Sequence, residues 1–297
     1  MSKTGFLFFT ISLSIFIYSC GGTRHSKDKK MPGTWQAQPI VIDGKSDDWP
    51  SPYPSYDSKA LVGYATSNDR DNLYVTIETG DEYTMMKILK QGLTVWIDTE
   101  GNKAQEVAIH FPIKDENDPI EIPAVKDKKT FNEAATQLHS RDLSQKIKTG
   151  LSDATQITFE GFKSCNGGYL VKEKNPCGII VRIGIDEYKE LIWEASIPFK
   201  AIYGKEHINK NDEGKPISVG IFVKGFKKPA SSGDNASTAE NRGGGMGGSG
   251  MRGGGMGGGG MRGGGGRGGS RSSSGTNARD AMFESTKTWK QFGIAYQ

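Results

Sequence analysis

Short runs in which apolar and polar residues alternate constrain this chain most. In Leu73-Tyr74-Val75-Thr76-Ile77-Glu78-Thr79, the odd positions Leu73, Val75 and Ile77 share one side and Tyr74, Thr76 and Glu78 the other. A strand turns successive side chains to opposite faces, so this period of two is the mark of a half-buried strand. The pattern returns in Leu93-Thr94-Val95-Trp96-Ile97-Asp98, in residues 105–111, in 191–199 and in 217–226. Further strand candidates are 59–67, 156–162, 168–172, 178–185 and 288–296. The fold class expected is all-β, an antiparallel β-sandwich, because many short alternating strands joined by turns can bury their apolar faces only against a second sheet.

The connections carry their own signals. Pro39 to Trp49 holds a β-branched run, Ile40-Val41-Ile42, that reads as a strand, then Asp43-Gly44 as a turn, then Asp47, Asp48 and the anchor Trp49. Asn68 to Asn72 is a turn rich in side chains that bond their own backbone. Residues 82–91 permit a short helix holding Met85, Met86 and Leu89, and 99–103 a hairpin loop. Residues 112–150 break the alternation with Pro112, Pro119 and Pro123, then allow a helix over 131–147. That stretch is too poor in apolar residues to form a core of its own, so it is an excursion from the sandwich.

Two segments stand outside the sandwich pattern. Met1-Ser2-Lys3 is followed by an apolar run from Phe6 to Tyr18 that is short for a bilayer span, then by Ser19-Cys20-Gly21-Gly22. A small residue before Cys and Gly after it resembles the lipobox of bacterial lipoproteins. The resemblance implies cleavage after residue 19 and lipidation of Cys20, with 20–32 as a tether and 33–297 as the domain. It also implies a cell-envelope protein, anchored at the outer membrane. Residues 233–280 hold most of the chain's 41 glycines, in units that begin at Arg242, Arg252 and Arg262. With so little to bury, this tract is expected to be a disordered loop. Its six arginines against Asp234, Glu240 and Asp280 supply most of the chain's formal charge of +4, so the rest is nearly neutral. No nucleic-acid partner is expected, since the tract lacks aromatics to stack bases.

Cys165 and Cys177 flank residues 168–172, and in an exported protein they are expected to form a disulfide clipping this hairpin, worth about 2–4 kcal/mol. No metal or cofactor is expected. His25, His110, His139 and His207 are scattered, and neither a GxSxG elbow nor a phosphate-binding glycine fingerprint occurs. Asp43, Asp47 and Asp48 read as turn chemistry rather than a calcium site. Glu106 and Glu194 read as solvated strand-face carboxylates rather than an acid–base pair. Trp193 shares parity with Leu191, Ala195 and Ile197 and belongs in the core, whereas Trp96 has the parity opposite to Val95 and Ile97 and faces outward. The chain is read as non-enzymatic.

Several pieces occur in a telling order: Ile42-Asp43-Gly44 with Asp47 and Trp49; Asn72-Leu73-Tyr74-Val75; Val95-Trp96-Ile97-Asp98; Gly168-Tyr169-Leu170-Val171; Trp193-Glu194-Ala195-Ser196-Ile197-Pro198; and Trp289-Lys290-Gln291-Phe292-Gly293. This series resembles the family 9 carbohydrate-binding module, a DOMON-like sandwich. The resemblance implies a sugar-binding domain without catalysis, in which two tryptophans sandwich the sugar. The positions corresponding to them here are Ile88 and Phe283, with Trp96 as the outward aromatic nearby. One wall is thus missing and the other reduced. Two alternatives stay open: a structural or adhesion subunit that binds an envelope protein, and a haem carrier, for which Met85, Met86 and His110 would have to supply axial ligands.

Overall fold

The structure is a computed structural model that describes residues 30–113, 133–227 and 281–297. The lipidation candidate Cys20, the glycine-rich tract and the middle of the 112–150 excursion lie outside the described residues.

Two antiparallel sheets face each other. One has five strands in the order β1 (Ser55–Asp57), β2 (Val62–Asn68), β3 (Asn72–Thr79), β9 (Leu191–Pro198), β8 (Ile180–Ile185). The other has six, in the order β11 (Thr286–Gly293), β10 (Pro216–Val223), β4 (Leu93–Asp98), β5 (Val107–His110), β6 (Gln156–Glu160), β7 (Gly167–Leu170). The all-β sandwich expected from the alternation is the fold observed. Its core collects the inward residues of both sheets, among them Val75, Ile77, Val95, Ile97, Ile109, Trp193, Ile197, Val219 and Ile221, none more than 2% exposed.

Helix α1 (Glu82–Gln91) carries the chain from β3 to β4. It starts where the Asp81 carboxylate accepts the Thr84 N–H at 2.8 Å and stops at Gly92, whose φ of 89° suits a residue without Cβ. Met85, Met86, Ile88 and Leu89 turn into the core. Lys87 is also buried, and its ammonium donates to the carbonyls of Ala281 and Glu284 at 3.1 Å each, pinning the chain where it returns towards β11. Helix α2 (Glu133–Asp153) adds Leu143 and Ile147 to the same core. A short helix, α3 (Phe199–Tyr203), follows β9. Among the described residues no helix is long and apolar enough to cross a membrane.

Cys165 and Cys177 are joined, as expected, with S–S 2.08 Å. They do not clip a hairpin of β7 with β8, because those strands lie in different sheets. The bridge instead ties the β6–β7 connection to the segment crossing from one sheet to the other.

Two expectations fail for the same reason. Ile40-Val41-Ile42 is not a strand, and Glu194 is not solvated: it is completely buried. The segment from Ile40 to Tyr53 lies across the outer face of the five-stranded sheet and forms a second small core there, with Ile40, Trp49, Ala65 and Tyr74 buried together. Three of its N–H groups donate to one side chain on β9 instead of to a strand's main chain. Glu194 accepts from Trp49 Nε1 at 2.5 Å, from the Gly44 N–H at 2.6 Å and from the Asp43 N–H at 3.1 Å. Burial pushes the Glu194 carboxyl up from its ordinary value, and these three donors act against that rise. Gly44 must be glycine on two counts: its φ is 84°, and a Cβ there would lie 2.9 Å from the Gly184 nitrogen.

Removing the acceptor should therefore loosen this whole layer. Glu194→Ala leaves three donors without their partner and is expected to cost at least about 3 kcal/mol. Glu194→Gln, which keeps one acceptor oxygen, should cost less. Urea denaturation followed by tryptophan fluorescence would measure both, and an Ala variant as stable as the parent would contradict the clamp.

Candidate functional site

The register of the six-stranded sheet sets out its outer face in rows. One row runs Lys287, Phe222, Thr94, His110, Thr158 across β11, β10, β4, β5 and β6. The next runs Trp289, Gly220, Trp96, Ala108, Glu160. A third runs Gln291, Ser218, Asp98. All these residues have the parity opposite to the core residues Val95, Ile97, Ile109, Val219 and Ile221, so their side chains share the outward face.

Three aromatic rings gather on it. Trp96 and Trp289 have centroids 5.9 Å apart and planes within 13° of parallel. Phe222 lies 5.7 Å from Trp96 at 37°. All three are half-buried. The two tryptophans sit on β4 and β11, which are not neighbours; Gly220 on β10 separates them. A Cβ at Gly220 would lie 2.8 Å from three atoms of the Trp289 ring, so the indole lies down over the bare backbone. A mid-strand glycine is here a place where a ring approaches the main chain closely.

The platform has polar borders. At one end the Asp98 carboxylate accepts the N–H groups of Glu100 and Ala104 at 2.8 and 3.0 Å, folding residues 99–104 into a compact loop. Gln291 Nε2 donates to the Gly101 carbonyl at 2.8 Å, which closes that loop over the third row. Along the side, Thr94 Oγ1 and His110 Nδ1 are 2.9 Å apart, and His110 Nε2 lies 3.2 Å from Glu160 Oε2. At the other end the Lys287 ammonium lies 4.6 Å from the centre of the Trp96 ring and 5.7 Å from that of Trp289. The arrangement offers flat apolar faces bordered by hydrogen-bonding groups.

The residues expected at a site divide. Trp96 is on the outer face, as its parity requires. Ile88, on α1, is completely buried in the core, so it has no face to offer a ligand; this corrects the placing of Ile88 at a ligand site. Phe283 packs against the main core near Gly225 instead of joining the two rows that carry the platform. Met85 and Met86 point inward while His110 faces outward from the other side of β5, so the structure does not bring the proposed haem ligands together. Glu106 is exposed and bonds Thr99, far in character from the buried Glu194. Asp43 accepts from the Lys45 N–H and Asp48 from the Val41 N–H, which is turn chemistry. The residues missed were Trp289, Phe222 and Gly220. The signal was present: Phe222 and Gly220 have the parity opposite to Val219, Ile221 and Val223.

A second cluster lies on the other sheet, where Glu78, Asp186 and Glu190 approach one another. Burial, then the charges of Glu190 and Asp186, push the Glu78 carboxyl up to about 7. Among the described residues no group of His, Cys, Asp and Glu is arranged to hold a metal ion.

No known family profile matches the chain, and no curated protein matches it. Among solved structures it is similar to a family 9 carbohydrate-binding module from Caldicellulosiruptor kristjanssonii in complex with glucose. The identity is 13% and the TM-score 0.29, over 66% of this chain and 78% of that one. It is similar also to the same organism's module in complex with cellotriose, at 14% identity and TM-score 0.28, over 66% and 76% of the two chains. What this chain binds is therefore read from its own side chains.

The Glu78 cluster has a pH signature. A carboxyl raised in the folded state binds its proton more tightly there than in the unfolded chain. Its contribution is fully present below the ordinary value near 4.5 and is lost as pH rises through about 7. Thermal melts across that window should show stability declining with pH, and Glu78→Gln should flatten the decline. An unchanged slope in the variant would assign the effect elsewhere.

Proposed function

We propose that this chain is a non-catalytic, lipid-anchored protein of the bacterial envelope whose six-stranded sheet binds a glycan. The observation that carries the reading is the pair of near-parallel indoles, Trp96 and Trp289, lying on the outward face with Phe222 beside them. The C–H face of a pyranose ring is apolar and flat, and it packs on an aromatic face while its hydroxyls seek donors and acceptors at the rim. Thr94, His110 and Glu160 are such groups. The lipobox-like Ser19-Cys20-Gly21 and the ordered motifs similar to a sugar-binding module support the same reading. In it, Cys20 holds the domain at the outer membrane through 20–32.

Binding of the purified chain to a panel of plant, microbial and host polysaccharides, by affinity electrophoresis and calorimetry, tests the platform. Trp96→Ala and Trp289→Ala are each expected to weaken retention about 5- to 150-fold, taking about 1–3 kcal/mol for a lost stacking partner. Gly220→Ala should weaken it as well, by lifting Trp289 from the sheet. If no polysaccharide binds while an envelope protein is captured through the same face, the chain is an adhesion subunit instead.

The anchor has its own test. Expressed in a lipoprotein-processing bacterium, the chain should incorporate labelled palmitate, and Cys20→Ala should abolish the label and release the domain in soluble form. A labelled Ala variant would place the lipid elsewhere.

A further inference from the structure

Resting on the reading that the platform stacks sugar rings, we propose that its ligand is an acidic polysaccharide, and that Lys287 receives a uronate carboxylate.

The position of Lys287 carries this. It stands on β11, the edge of the six-stranded sheet, directly across from Phe222 in the row that leads to Thr94 and His110. It is exposed, and its ammonium lies over Trp96 and near Trp289. Among the described residues no carboxylate forms an ion pair with it. The ammonium is thus placed on the same aromatic surface that a stacking ring would use.

Displacement decides which sugar suits such a surface. An exposed cation over an aromatic face is weakly held, so a ligand can move it aside. A neutral ring that takes its place removes the cation–π contact and offers the ammonium only a hydroxyl. A ring bearing a carboxylate offers a charge-assisted hydrogen bond in exchange, and the long lysine side chain can swing to meet it. The far side of the platform sets the direction. Glu160, its carboxylate beside His110, repels an anion there and accepts from hydroxyls. The acid group of the ligand therefore lies towards β11 and its hydroxyls towards β5 and β6.

The probes are tetragalacturonate and its methyl ester, which have the same rings with and without charge. Calorimetry on the purified full chain at low salt should show the acid binding about tenfold more tightly, the size of one hydrogen bond to a charged group. The ratio should shrink at high salt. Lys287→Gln should bring it close to one, and Trp96→Ala should abolish binding of both probes. Equal binding of acid and ester by the parent chain, or a ratio unchanged in Lys287→Gln, overturns the inference and leaves the glycan reading standing. Silence towards both probes, with the neutral polysaccharides also silent, overturns the two together.

Discussion

The buried carboxylate of Glu194 is the contact on which the five-stranded side of this molecule depends. A carboxylate without water must find hydrogen-bond donors or lose its charge. Glu194 finds Trp49 Nε1 and the N–H groups of Asp43 and Gly44, all from a segment with no ladder of its own. The arrangement is reciprocal. The segment has its main chain bonded by Glu194, and Glu194 is shielded by Trp49 and its neighbours. The cost of burying the charge is offset only when all three donors are in place, which makes the layer cooperative. The tight approach of Gly44 to Gly184 sets the segment close enough to reach.

With that face sealed, the two sheets differ in character. The five-stranded sheet is buried on both sides over β2, β3 and β9, where nearly every residue is inaccessible. The six-stranded sheet keeps aromatic rings on its outer side, half-buried. Gly220 makes this possible by leaving a bare patch of backbone over which Trp289 lies. The Asp98 loop fixes the end of the platform, and Gln291 fastens that loop to β11. Each border of the site is thus made by a strand end that the fold needs in any case. A flat aromatic surface with hydrogen-bonding borders can arise there without any new element.

Much of the fold was legible in the alternation, because period two is a local consequence of the strand backbone. The parity of Trp193 placed it inside and the parity of Trp96 placed it outside, and both are so. Residues 82–91 were legible as a short helix holding Met85, Met86 and Leu89, and the structure adds Asp81 and Gly92 as its caps. Ile40-Val41-Ile42 misled because β-branched residues favour extended backbone whether or not a neighbouring strand is available. Glu194 misled because an outward-facing strand position says nothing about what covers that face. Ile88 came from counting along a motif, and the count cannot register that the helix turns this residue into the core.

The sequence alone therefore determined most of the strands, their inward faces, the disulfide partners and the outward parity of Trp96. These depend on backbone periodicity and on short-range spacing. Only the tertiary structure decided that β7 and β8 part into different sheets and that residues 40–53 cover one sheet. It alone brought Trp289, Phe222 and Lys287 together with Trp96. Those facts depend on strand order, and strand order is set by which apolar faces meet across long separations in sequence, a choice that no local pattern records.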